Sequence, residues 1–205
     1  PMIKTCIIGA SGYAGAELAG LIHKHTKFDL TSLFVSTNSA DAGKSFSALH
    51  PKWFNQIDLP LIALDESKLT ELAETYDAIF LATPHEASHK WMSELAGKKA
   101  IILDLSGAFR IKDKDVFEDY YGFAHTAESE LADAVYGLAD WHQAQIKHAN
   151  LVAVPGCYPT ASLTALKPLQ LNGLLDPAHL PIINAVSGVS GAGRKAALNT
   201  SYTEV

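Results

Sequence analysis

Apolar residues along this chain gather into short, nearly unbroken runs, and stretches of helical period separate one run from the next. Met2 to Ile8 (MIKTCII) is the first such run. The glycine turn GASGYAG follows, and Ala14 to His25 then places Leu18, Leu21 and Ile22 along one helical stripe. Leu30 to Val35 is the next apolar run, so strand, turn, helix and strand fit within about 35 residues, the size of one βαβ unit. Two further runs, Ala78 to Thr83 (AIFLAT) and Ala100 to Leu105 (AIILDL), flank a helical stretch from Glu86 to Leu95. Unbroken apolar strands alternating with helices predict an α/β fold with a doubly wound parallel sheet of Rossmann type, covered on both faces.

After Asn150 the rhythm changes. The run LVAV leads into Gly156-Cys157, a helix is expected from about Thr160 to Lys167 with Pro168 ending or kinking it, and PIINAVSG reads as another strand. Residues 1–150 are therefore expected to form the Rossmann domain. Residues 151–205 are expected to begin an α+β domain that is too short to close a core of its own, which reads as a fragment of a longer chain.

Composition narrows the partners. Of 205 residues, 48% are hydrophobic and 19% charged, as in an ordinary globular core. The net charge of -6 and the absence of a basic cluster argue against nucleic acid or an anionic membrane surface as partner. No apolar run approaches the roughly 20 residues of a membrane span. The chain starts directly into a strand pattern without a signal peptide, so the expected location is cytoplasmic.

Gly9, Gly12 and Gly15 form GxxGxxG between a strand and a helix. Glycines there let backbone N–H groups and a helix N-terminus approach a pyrophosphate without Cβ obstruction. The end of the second strand reads Val35-Ser36-Thr37-Asn38-Ser39, with no acid before Asp41. A carboxylate at that place accepts from the ribose 2′-hydroxyl of NAD, whereas hydroxyls from Ser36, Thr37 or Ser39 with Lys44 nearby suit a 2′-phosphate. NADP is the expected cofactor; a polar loop without ligand is the alternative.

Cys6 and Cys157 lie far apart and form no CxxC, which points away from a disulfide scaffold or a cysteine zinc site. Cys6 reads as a buried strand residue. Cys157 sits at a turn between a strand and a helix start, with Pro159 suited to the first helical turn. A helix N-terminus favours thiolate by about 0.3 to 1 kcal/mol. That is too little to ionise an ordinary thiol of pKa near 8.5, so a nucleophilic Cys157 also needs a histidine. HEASH, His85 to His89, matches the HExxH zinc motif. Thr83-Pro84 immediately precede it, which puts His85 in a first turn rather than mid-helix, and no third ligand follows at close spacing, so no metal is expected. The remaining histidines read as surface residues. Arg110, in DLSGAFR, could present its guanidinium to an anionic substrate or form a surface ion pair.

Taken together, GASGYAG, DLSGAFR, VYGLADW, VPGCYPT and SGVSGAGRK occur in an order that resembles the N-acetyl-γ-glutamyl-phosphate reductase family of arginine biosynthesis. That family is similar to the aspartate-semialdehyde and glyceraldehyde-phosphate dehydrogenases. The resemblance implies an NADP-binding Rossmann domain, an α+β catalytic and dimerisation domain, and a homo-oligomer, dimer or tetramer. It implies Cys157 as nucleophile. Gly9, Ser11, Gly12, Tyr13, Ala14, Gly15, Ser36, Ser39, Thr83 and Pro84, with Ser187, Gly188 and Gly191, are assigned to the cofactor; Ser106, Arg110, Tyr158, Pro159 and Thr160 to a small acyl-phosphate substrate. The family supplies its catalytic histidine downstream of SGAGRK, and His179 lies upstream and does not match it. Reduction of an aminoadipyl or aspartyl phosphate, or NADP binding without catalysis, are the alternatives left open.

Overall fold

The computed structural model describes residues 1–202; residues 203–205, the tail of the predicted second domain, lie outside the described residues. Two compact units divide the chain, 1–154 and 155–205.

Seven strands build the first unit: β1 (Ile3–Ile8), β2 (Phe28–Val35), β3 (Leu61–Ala63), β4 (Ala78–Leu81), β5 (Ile101–Asp104), β6 (Val135–Tyr136) and β7 (Leu151–Ala153). They form one sheet in the order β3, β2, β1, β4, β5, β7, β6, and every pairing is parallel. Neighbouring side chains of a strand leave on opposite faces, so Cys6 and Ile8 of β1 enter one apolar cluster and Ile7 the other. Helices α1 (Tyr13–Lys24), α2 (Phe46–Leu49), α3 (Leu69–Thr75), α4 (His85–Leu95), α5 (Lys114–Tyr121), α6 (Glu128–Asp133) and α7 (Ala139–Ile146) connect the strands. Leu69 and Ala73 of α3 and Trp91, Met92 and Leu95 of α4 fill the first cluster, while Ala16, Ala19 and Ile22 of α1 join Phe46 and Trp53 in the second. The doubly wound parallel sheet read from the apolar runs is thus present.

The chain winds outward from β1 through β2 to β3 and then returns to the other side of β1 as β4. The carboxyl ends of β1 and β4 therefore flank a topological switch point, where open α/β sheets leave a ligand crevice.

Three expectations need correction. Leu21 of α1 does not face the core; it is 69% exposed, and the buried face is Gly15, Ala16, Ala19, Gly20 and Ile22. Small residues let α1 lie close to the sheet, and Trp53 fills the notch at Gly20, where a Cβ would collide with its indole. In the second unit, helix α8 runs Cys157–Leu171 and passes through Pro168 instead of stopping there. Proline removes the N–H that would bond one turn back and its ring crowds the carbonyl there, yet its own carbonyl still accepts from Asn172 N–H and from Asn172 Nδ2 at 2.8 Å. Residues 181–188 are not a strand. A strand needs a hydrogen-bonded neighbour, and none lies beside them among the described residues; Ile182 and Val186 stand exposed.

Candidate active site

The three glycines of the turn after β1 meet three different demands. Gly9 has φ +97 and lies so close to the end of β4 that a Cβ would collide with the Ala82 carbonyl. Gly15 packs against the backbone of Gly9 and Ala10 and lets the first turn of α1 sit on the strand end. Gly12 is under neither constraint: a Cβ there would meet no protein atom nearer than Gly9 O at 3.9 Å. Its missing side chain leaves space outside the protein surface, where a pyrophosphate would approach. Gly12 is also the N-cap of α1, with no side chain capping it and no acid in the first turn. The first-turn N–H groups thus keep their capacity for an anion. Ser11 is half-buried, while Tyr13 and Ala14 are exposed on that first turn.

At the end of β2 the predicted hydroxyls divide. Thr37 Oγ1 donates to Leu64 O at 2.7 Å. Ser39 Oγ accepts from Asp41 N–H at 3.2 Å and keeps its own proton to donate. Ser36 is exposed. Lys44 is paired with Asp41 at 2.9 Å, so the nearest acid is buried against a cation rather than offered to a ribose. Beyond β4, the Thr83 hydroxyl is tied to Ser88 Oγ at 2.7 Å, and exposed Pro84 caps α4.

The segment after β5 departs from the sequence reading. Ser106 is 3% exposed; its amide and hydroxyl both donate to the buried Asp104 carboxylate at 2.9 Å, and its oxygen accepts from Ala108 N–H. Its hydroxyl is spent inside the fold, so it does not face a substrate. Burial pushes the Asp104 carboxyl up, against the pull of the Ser106 hydrogen bonds and of Arg110. Arg110 is partly exposed and gives Nε to Val154 O and Nη2 to Leu105 O, both at 2.7 Å. This guanidinium therefore braces the carboxyl ends of β5 and β7 and retains further N–H donors.

In the second unit, Cys157 is the first residue of α8, after the N-cap Gly156, and its side chain is exposed. No side chain caps this end. Pro159 has no N–H, and Thr160 N–H already bonds Gly156 O, as does the Thr160 hydroxyl at 2.8 Å. The N–H groups of Cys157 and Tyr158 are left at the helix start beside the sulfur. Cys157, Tyr158, Ala161 and Ser162 line one side of an open cleft of about 510 Å³, and Ile183 to Gly188 line the other. Ser187 and Gly188 are thereby brought to the cysteine. Gly191 closes the adjoining turn on Gly188 and does not line the cleft. Cys6, the other thiol, is fully buried in β1, and burial pushes its pKa up.

Sequence reasoning missed the use made of HEASH. His85 opens α4, and its Nδ1 accepts from Gly107 N–H at 2.7 Å; His89 Nε2 accepts from Thr126 N–H at 3.1 Å. The lone pairs that a metal would need are occupied by amide protons.

A glycine turn at a switch point and an exposed cysteine at a helix start suit nucleotide-dependent dehydrogenase chemistry, and the chain belongs to the semialdehyde dehydrogenase family. Residues 4–149 match its NAD binding domain and residues 157–205 its dimerisation domain. The particular relatives agree with the resemblance read from the motifs. The chain is 62% identical over 204 residues to N-acetyl-gamma-glutamyl-phosphate reductase of Pseudoalteromonas atlantica and 59% identical to that of Alteromonas mediterranea. All of this chain is covered in both comparisons, and it spans 60% of the length of those relatives. Among solved structures, an aspartate semialdehyde dehydrogenase II of Vibrio cholerae complexed with ASA matches with a TM-score of 0.61 at 19% identity, covering 95% of this chain and 49% of that one. Aspartate semialdehyde dehydrogenase with NADP from Candida albicans matches with a TM-score of 0.53 at 14% identity, covering 85% and 48%. At such identities these structures speak for the fold alone.

Proposed function

We propose that the full-length protein carrying this chain reduces N-acetyl-γ-glutamyl phosphate to the 5-semialdehyde and phosphate, with NADPH as reductant, as a cytoplasmic homo-oligomer. The observation that carries the reading is Cys157 at the uncapped start of α8, exposed and lining a cleft with Ser187 and Gly188. The names of the relatives and the match to a dimerisation domain support the substrate and the oligomer. Residues 1–150 hold the dinucleotide and the remainder begins the catalytic domain.

The turn from Gly9 to Gly15 would hold the pyrophosphate, and the hydroxyls of Ser36 and Ser39 suit a 2′-phosphate. A reduced dinucleotide bound there supplies hydride. The chain's own part is acyl transfer: the Cys157 thiolate adds to the γ-carbonyl, the C–O bond to phosphate breaks, and the acyl group is left as a thioester while phosphate departs with the bonding pair. The N–H groups of Cys157 and Tyr158 suit the negative charge that develops on the carbonyl oxygen. After reduction the C–S bond breaks, and the thiolate returns. Arg110, with donors to spare, suits the anionic end of the substrate.

The test is the reverse reaction in the full-length protein, with semialdehyde, NADP and inorganic phosphate, followed by NADPH absorbance. Cys157→Ser should fall to background while NADP binding survives, because a serine hydroxyl is hardly ionised. Turnover retained by that variant would sink the reading.

A further inference from the structure

The two imidazoles of HEASH lie one helical turn apart on α4, and both are acceptors toward the same stretch of chain. His85 Nδ1 takes Gly107 N–H at 2.7 Å, and His89 Nε2 takes Thr126 N–H at 3.1 Å with Thr126 Oγ1 at 3.4 Å. These amides mark the beginning and end of the segment that carries Arg110. His125 adds a third tie, its Nε2 bonding Ala108 O at 2.8 Å.

Packing leaves the ties little freedom. The His85 ring meets Tyr121 edge to face at 4.8 Å, and Tyr121 also fills the space where a Cβ of Gly107 would lie. His89 packs on Phe123 and His125, at 5.3 and 4.6 Å between ring centres. An imidazole nitrogen that accepts from an amide must keep its lone pair, which places the ring proton on the other nitrogen. Burial favours the neutral ring of His89, Glu130 acting against it. A zinc-like motif is here a pair of neutral acceptors.

We propose that His85 and His89 are positioning residues: as neutral acceptors for Gly107 and Thr126 they hold the segment between these amides so that Arg110 faces the anionic end of the substrate. The proposal rests on the reading of function above, in which Arg110 meets that anion. Arg110 is fixed at its own end by Leu105 O and Val154 O, and the histidines fix the peptide that bears it.

The two histidines use different ring nitrogens, which makes the test specific. Asparagine can present its side-chain oxygen near the place of Nδ1, and glutamine near that of Nε2. In the full-length protein, His85→Asn and His89→Gln should leave the KM for inorganic phosphate in the reverse reaction near wild type. His85→Gln and His89→Asn should raise it about tenfold, with kcat changed less and NADP affinity unchanged, as expected for a lost hydrogen bond. Asparagine and glutamine behaving alike at both positions would overturn the proposal, as would His85→Gln and His89→Asn proteins that melt earlier while their phosphate KM stays unchanged. Should one variant fail to fold, the pair at the other position decides by the same criteria. A wild-type enzyme that shows no phosphate-dependent reaction sinks the reading of function instead.

Discussion

Cys6 and Cys157 are chemically the same group, and the two units that carry them treat them oppositely. Cys6 lies in β1 between packed strands with no exposed surface, and burial holds it as a thiol. Cys157 stands exposed at the head of α8. The contrast extends to their surroundings: the first unit has an apolar cluster on each face of its sheet, while no described residue of the second unit is buried. What differs is the source of order. Around Cys6 it comes from neighbours far along the chain. Around Cys157 it comes from Gly156, Pro159 and Thr160, which set a helix start locally.

Alkylation gives the largest test of that contrast. In the native chain Cys157 should react with iodoacetamide readily, and Cys6 only through unfolding, which at ordinary unfolded populations makes it about 10³-fold slower or more. Peptide mass spectrometry reads both sites; comparable rates would break the comparison. Next come two substitutions within the glycine turn of the packed unit. Gly9→Ala must take a strained φ against the Ala82 carbonyl, at a cost of about 1–3 kcal/mol, and should lower the melting midpoint by several degrees. Gly12→Ala meets no close protein atom, so melting should hardly change while NADP affinity falls about tenfold. A Gly12→Ala protein that binds NADP as before would show that the space outside Gly12 is not the cofactor's.

The smallest effect is on pH dependence. His89 and His125 both sit below the usual histidine range because burial disfavours the imidazolium; Glu130 opposes this at both, and Lys114 and His89 reinforce it at His125. A histidine whose folded pKa lies below an unfolded value of about 6.5 stabilises the fold fully above that pH. The contribution is lost as pH falls from there through the folded pKa. Asp104, raised by burial, works in the opposite sense at lower pH. The difference in melting midpoint between wild type and His89→Gln should therefore be constant above about pH 7 and narrow below about 6.5. A difference that widens on acidification would contradict the neutral-acceptor geometry.

Much of the first unit was legible in the sequence because central parallel strands are apolar on both faces, as in IKTCII, AIFL and IILD. The face of α1 was not, because its contact with the sheet is made by glycines and alanines that carry little hydrophobic signal. Residues 181–188 have the composition of a strand, but pairing is a property of a neighbour. The glycine turn and the setting of Cys157 are local motifs, and both were readable. The bonds of Arg110 to Val154, of His85 to Gly107 and of His89 to Thr126 span 44, 22 and 37 residues. No local pattern announces them, so Arg110 read as a substrate group or a surface ion pair, and HEASH as a zinc motif set aside with no other use assigned to it.

The notch at Gly20 gives the dinucleotide site an optical gauge. Trp53 is 4% exposed, seated in that notch on α1, with the ammonium groups of Lys24 and Lys52 each 5.1 Å from its ring. Indole emission responds to nearby charge and to hydration, and Lys24 ends the same helix whose first turn is proposed to hold the pyrophosphate. A shift of α1 along the sheet would move that charge across the ring. Emission from a protein whose other two tryptophans, Trp91 and Trp141, are replaced by phenylalanine would then report the seating of this helix without any added dye.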